Sequence, residues 1–224
     1  MKYGESTFDV LYLLFAILSG IVILKKARNR TERHMGLAAL ILGCGDAFHL
    51  VPRVMHYFST ADLTAALGIG KLVTSVTMTV FYVLLYAIWL GYYQEKENGN
   101  VTRAVLALAA VRIILCLFPQ NGWLENSSGM TWGILRNIPF VALGAIVCLL
   151  YYRKRKESPR FGRVWLLILL SFLFYIPVAV GAGALPMLGM LMLPMLGMLM
   201  LPKTVCYILL IRIFLLAVLR DACR

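Results

Sequence analysis

Asp46, His49, Arg53 and His56 recur at spacings of three, four and three residues inside one largely apolar segment. On a helix at about 100° per residue they fall within about 80° of one another and make a single polar stripe. Polar side chains are costly in an apolar span, so a stripe of this kind points to function. An aspartate there exchanges protons, imidazoles titrate near neutral pH, and a guanidinium grips a carboxylate or phosphate. The same residues admit a second chemistry. Asp46, His49 and His56 supply two or three ligands to zinc, or Asp46 and His49 serve an intramembrane hydrolase acting on a lipid, with or without metal. The bland alternative is structural, with Asp46 salt-bridged inside a bundle to Arg112 or Arg212.

Further polar groups fit the same picture. Lys71 shares a helical face with Thr74, Ser75 and Tyr82, and Arg112 leads into Phe118-Pro119-Gln120-Asn121-Gly122-Trp123. Arg136 opens Arg136-Asn137-Ile138-Pro139, Ser171 and Tyr175 share a segment with Pro177, and Lys203-Thr204 precede Tyr207. Arg53, Lys71, Arg112, Arg136 and Lys203 thus fall between the middle and one rim of the spans described next, with Asp46 as the carboxylate placed to offset them. Taken singly, such cations snorkel to the interface or bond helix-end carbonyls. Taken together, they predict a cationic cavity that binds or transports an anionic small molecule or a lipid headgroup. In that cavity the five cations contact the anion, and Ser75, Gln120, Asn121, Asn137 and Tyr175 supply neutral hydrogen bonds. Asp46 forms the floor, and His49 and His56 tune the charge. Prolines at 52, 119, 139, 177 and 202 interrupt helices near that rim and free backbone groups to line it.

The elements that must position these groups follow from composition. The 224 residues are 61% hydrophobic and 14% charged, with a mean hydropathy of +0.83. Soluble domains carry about a quarter charged residues, so a soluble enzyme, a disordered chain and a disulfide-stapled secreted domain are excluded. A net charge of +12 without a soluble basic face does not indicate nucleic acid. About 20 apolar residues cross a bilayer, and seven segments meet that measure: 8–24, 35–58, 67–93, 104–118, 134–152, 164–182 and 195–219. All are expected to be helices in an all-α, seven-span bundle forming a single polytopic membrane domain over 1–224. Segments 25–34, 94–103, 153–163 and 220–224 hold fifteen of the twenty-two Lys and Arg residues, whereas 59–66, 119–133 and 183–194 hold none. The positive-inside rule then places the N-terminus outside and the C-terminus in the cytoplasm, in a cytoplasmic or plasma membrane.

Residues 185–192 and 193–200 are identical, Leu-Pro-Met-Leu-Gly-Met-Leu-Met twice over. One copy is expected to form a kinked or re-entrant segment before the last helix, with 184–201 as an eighth span the second choice. Cys44, Cys116, Cys148, Cys206 and Cys223 form no CxxC pair. Asn126-Ser127-Ser128 fits the glycosylation pattern on the outer side. No cofactor is implied, membrane lipids are the expected partners, and nothing in the chain fixes an oligomer.

In span number and in the element Asp46-Ala47-Phe48-His49 the chain resembles seven-helix membrane hydrolases of the alkaline ceramidase and adiponectin-receptor type. It departs from them where it matters, because no histidine follows His56 and the paired histidines those families carry on the last helix are absent. Lys203 in the last helix invites a Schiff base, but the sequence places it at the mouth, with Asp46 on another helix at another depth. No GxSxG, HExxH, phosphate-binding loop or dinucleotide fingerprint is present. A structural or sensory subunit without ligand is the remaining class, its basic segments 25–34 and 153–163 docking on anionic lipid.

Overall fold

The structure is a computed structural model that describes residues 2–126, 129–184 and 199–222. Seven α-helices carry nearly all of that chain: α1 (Lys2–Lys26), α2 (Arg30–Phe58), α3 (Thr64–Tyr93), α4 (Gly99–Leu117), α5 (Met130–Arg153), α6 (Val164–Ala184) and α7 (Met200–Ala222). A 3-10 turn at Pro119–Asn121 follows α4, and no strand occurs among the described residues. Six helices, all but α6, are long and apolar enough to cross a membrane, with mean hydropathies of 1.5 to 2.3 over their most apolar stretches. In α6 the apolar stretch is Val164–Ala179. The all-helical architecture and its multi-pass length pattern are those expected of a membrane protein.

The helix ends differ from the expected spans for local reasons. Hydropathy finds the apolar stretch, whereas a helix continues until its backbone ends are capped. α2 therefore begins at Arg30, not 35, because Asn29 caps it. Its side-chain oxygen accepts from the Glu32 backbone N–H at 2.9 Å, and Glu32 in turn accepts from the Asn29 amide at 2.8 Å. α4 begins at Gly99, where Asn98 plays the same part. α1 begins at Lys2, six residues before the expected span, which brings Glu5 and Asp9 onto the helix. α7 begins at Met200 rather than 195, with Pro202 in its first turn, where a missing N–H leaves no bond unmade. The expectation of a re-entrant copy or eighth span within 184–201 falls almost wholly outside the described residues, as do Ser127, Ser128 and Cys223.

Consecutive helices run antiparallel, as their cross-contacts show. Tyr12 meets Asp46, Tyr86 meets Thr102 at 2.7 Å, Asn137 meets Tyr175, and Lys203 lies over Tyr175. Small residues set the closest seams. Gly43 leaves room for Ala16 and Ile17 of α1, Gly45 for Thr77 of α3, and Gly91 for Thr31 of α2. α3 runs through the middle. Tyr82 is fully buried, packs edge-on against Phe81 and Phe140, and meets Ser171 of α6 at 3.2 Å. The Trp89 indole donates to the Leu150 carbonyl at 3.0 Å, and the Tyr151 hydroxyl to the Leu85 carbonyl at 3.0 Å, so α5 is pinned to α3 near the far end.

The end of the bundle away from the N-terminus is basic and loosely charged. There Lys154 bridges Glu95 at 2.5 Å and Glu157 at 2.8 Å, just beyond α5. Its ammonium donates to the Glu157 and Glu95 carboxylates, which pushes its pKa up to about 12.

Candidate functional site

At the N-terminal end, α2 carries Pro52 within its length. Proline gives no N–H to the Phe48 carbonyl one turn back, so that oxygen is released from the helical ladder. α3 makes its close approach there. Gly70 packs on the Phe48 carbonyl and the His49 Cα, with no space for a Cβ, and Thr74 donates to the Gly45 carbonyl at 3.0 Å one turn deeper. Beside this contact lies a cavity of about 320 Å³ lined by His49, Arg53, His56, Tyr57, Leu67, Lys71 and Asn126. Its ionisable lining groups are thus two imidazoles, a guanidinium, an ammonium and a phenol, with no carboxylate.

The lining groups differ in how they are held. His56 and Lys71 are exposed, and the Lys71 ammonium makes no hydrogen bond or ion pair among the described residues. His49 faces the Leu67 backbone, while its Nδ1 is buried with no hydrogen-bond partner there. Asn126 turns through a left-handed φ of 52°, and its Oδ1 is also buried without a partner among the described residues. Buried polar atoms are nearly always satisfied, so two orphans at one cavity wall mark a place for a ligand or water.

Carboxylates stand behind this wall, on α1. Glu5, Asp9 and Tyr12 are spaced four and three apart and share one face of that helix. Glu5 pairs with the Arg53 guanidinium and accepts from the Tyr57 hydroxyl at 3.0 Å. Asp9 is 5% exposed and within electrostatic reach of Arg53, Glu5 and Asp46, and its Oδ2 lacks a hydrogen-bond partner among the described residues. Asp46 accepts from the fully buried Tyr12 hydroxyl at 2.6 Å and interacts electrostatically with Lys203 of α7.

A second polar group lies between α4, α5, α6 and α7. Arg112 is 2% exposed, sits 3.3 Å from the centre of the Phe140 ring, and has Nε and Nη1 without partners among the described residues. The Tyr175 hydroxyl donates to Asn137 Oδ1 at 2.7 Å, and Lys203 lies 4.7 Å from the Tyr175 ring. Arg136 donates to Asn121 Oδ1 at 2.7 Å and stacks 4.3 Å from the Trp123 ring. Asn121 is fully buried and donates to the Leu115 and Phe118 carbonyls at 2.8 and 2.9 Å, and the Trp123 indole donates to the Cys116 carbonyl at 2.8 Å. The Leu115 and Cys116 carbonyls lie in the last turn of α4 and the Phe118 carbonyl also accepts from the Asn121 backbone N–H at 3.2 Å, so Asn121 and Trp123 close the helix.

The expected constellation is therefore divided. His49, Arg53, His56 and Lys71 share the cavity; Asp46 turns away from it toward Tyr12 and Lys203. Arg112, Arg136, Asn137, Tyr175 and Lys203 belong to the second group. Asn121 is a helix cap, Ser75 donates to its own helix at the Lys71 carbonyl at 2.8 Å, and Gln120 is exposed outside the cavity. The expected salt bridge of Asp46 with Arg112 or Arg212 is replaced by the Tyr12 bond and Lys203. Lys203 thus has Asp46 as a neighbour despite the different depths expected. Asp46 and His49 share no hydrogen bond, and no group of three or more His, Cys, Asp or Glu side chains suited to a metal occurs among the described residues. Asp46 is also not alone in offsetting the cations, since Glu5 and Asp9 join it. Their helical spacing with Tyr12 is a signal in the sequence. Comparison with protein-family models gives no match, and a search of curated proteins finds none either.

Proposed function

We propose that the chain is a multi-pass membrane protein that takes an anionic group, a small molecule or a lipid headgroup, into the cavity between α2 and α3, for binding or transport. The observation that carries this reading is the cavity's charge. Every group in its lining able to bear charge at neutral pH is a cation or an imidazole, and Glu5, the carboxylate that contacts Arg53 and Tyr57 of the lining, is already paired with Arg53. The distribution of Lys and Arg supports an N-terminus outside, so that the cavity opens outward. Arg53 and Lys71 grip the anion, His49 and His56 offer it ring nitrogens, and the Asn126 side chain adds a neutral contact.

Lys71 gives the cleaner test, because Arg53 also holds α1 to α2 whereas the Lys71 ammonium holds no partner among the described residues. In full-length protein in detergent, inorganic phosphate, sulfate and acetate are screened by thermal shift and calorimetry. Lys71→Gln is expected to weaken anion binding about tenfold or more, the worth of one charge-assisted hydrogen bond, with the melting temperature of the ligand-free protein unchanged. Equal binding by wild type and Lys71→Gln overturns the assignment.

A further inference from the structure

Arg53 belongs to two sites at once. On one side it lines the cavity with His49, His56 and Lys71; on the other it pairs with Glu5 and lies within electrostatic reach of Asp9. The anion proposed above and the α1 carboxylates therefore compete for one guanidinium. We propose that the α1 carboxylates, Asp9 foremost, form a proton-binding site coupled through Arg53 to the anion cavity, so that each anion bound brings a proton with it. This inference rests on the anion reading of the cavity.

The geometry supplies each part of the coupling. Glu5 is held by both Arg53 and Tyr57, so it keeps a donor when Arg53 turns toward the cavity. Asp9 has no such reserve. Its buried Oδ2 has no donor among the described residues, and Arg53 is the cation it senses. Once Arg53 is drawn to an anion, Asp9 would be a buried charge beside Glu5 and Asp46 with nothing to balance it. Taking up a proton removes that charge and gives the oxygen a hydrogen to donate. The balance is simple: the carboxylate becomes a carboxylic acid, the guanidinium keeps its charge and changes partner, and anion plus proton enter together. Asp46 is the poorer carrier, since Tyr12 and Lys203 already stabilise its charge.

Other ionisable groups stand near Arg53, and the test must separate them. His49 and His56 face the same cavity, Lys71 stands across it on α3, and Lys203 approaches from α7. Sulfate is the probe, because its own charge does not change between pH 5 and 8. Its affinity for the full-length protein is measured across that range, with proton uptake on sulfate addition read by a pH dye in weak buffer. The wild type is expected to bind more tightly as pH falls, by up to about tenfold per unit, with close to one proton taken up per sulfate. Asp9→Asn, and separately Glu5→Gln, should still bind sulfate, and Asp9→Asn should flatten the slope and abolish most of the uptake. A His49→Gln/His56→Gln double variant should keep them. If Asp9→Asn leaves slope and uptake intact, or the histidine variant removes both, the coupling is overturned while the anion site stands. If wild type binds sulfate at no pH, and phosphate and acetate also fail, the anion site itself falls and takes the coupling with it.

Discussion

The Tyr12 hydroxyl on α1 donates a 2.6 Å hydrogen bond to the Asp46 carboxylate on α2, across 34 residues of sequence. It ties together two helices at the point where one carries its deepest acidic group. Tyr12 is 1% exposed, so the bond is shielded from competing water. Tyr12→Phe keeps the ring and removes only the donor. It is expected to destabilise the protein by about 1.5–3 kcal/mol, the range for a hydrogen bond to a charged partner, read as a lowered melting temperature in detergent. An unchanged melting temperature would show that Lys203 alone suffices for Asp46.

Asn121 is expected to behave as a structural residue. Its amide closes α4 through the Leu115 and Phe118 carbonyls, and its oxygen receives Arg136. Asn121→Ala removes the side-chain donor to the part-buried Leu115 carbonyl and the acceptor for Arg136, and should cost about 1–3 kcal/mol of stability. Sulfate affinity of the folded fraction should stay within about twofold of wild type, as the residue does not line the cavity. A specific loss of affinity at normal stability would return Asn121 to the ligand-binding set.

Gly70 admits no Cβ against the Phe48 carbonyl and the His49 backbone. Gly70→Ala therefore forces α3 away from α2, at a cost of about 1–3 kcal/mol. Gly99→Ala, in open space at the start of α4, is the control and should be near neutral. Thermal melts of the two variants side by side give the check, and equal behaviour would refute the seam.

The far end of the bundle offers a pH test. Glu95 and Glu157 raise the Lys154 ammonium from its ordinary 10.5 to about 12. A raised folded value means the stabilisation is fully present below pH 10.5 and is lost as pH rises through 12. Melting temperature should fall across that window in wild type, and Lys154→Met should fall less steeply across it. High salt should shrink the difference, because these groups are partly exposed to solvent.

The helical architecture was legible from apolar run length alone, because a chain in lipid must satisfy its backbone locally. Helix ends were less legible, since hydropathy does not register a cap such as Asn29 or a helix that continues through Lys2–Ser6. That shortfall hid the chief partner of Arg53: Glu5 reads as part of a tail until α1 is seen to include it. The stripe of Asp46, His49, Arg53 and His56 lies on one helix, and three of its four members share the cavity. Asp46 leaves that group because a face about 80° wide looks onto more than one neighbour, and which neighbour stands there is a matter of packing. Asn121 misled for a different reason. A side-chain amide offers the same donors to a helix end as to a ligand, and only the carbonyls at the end of α4 decide between them.

The glycine seams have a mechanical corollary. α2 meets α1 at Gly36 and Gly43, which seat Leu24, Ala16 and Ile17, and meets α3 at Gly45, Gly70 and Gly91, which seat Thr77, the Phe48 carbonyl and Thr31. Helices slide past one another by repacking a layer of side chains, and here those side chains are seated in glycine notches that fix their register. The first three helices should therefore travel as one plank, carrying His49, Arg53 and Lys71 in fixed relation. Any gate that admits or releases the anion has to be sought in what moves against that plank, not within it.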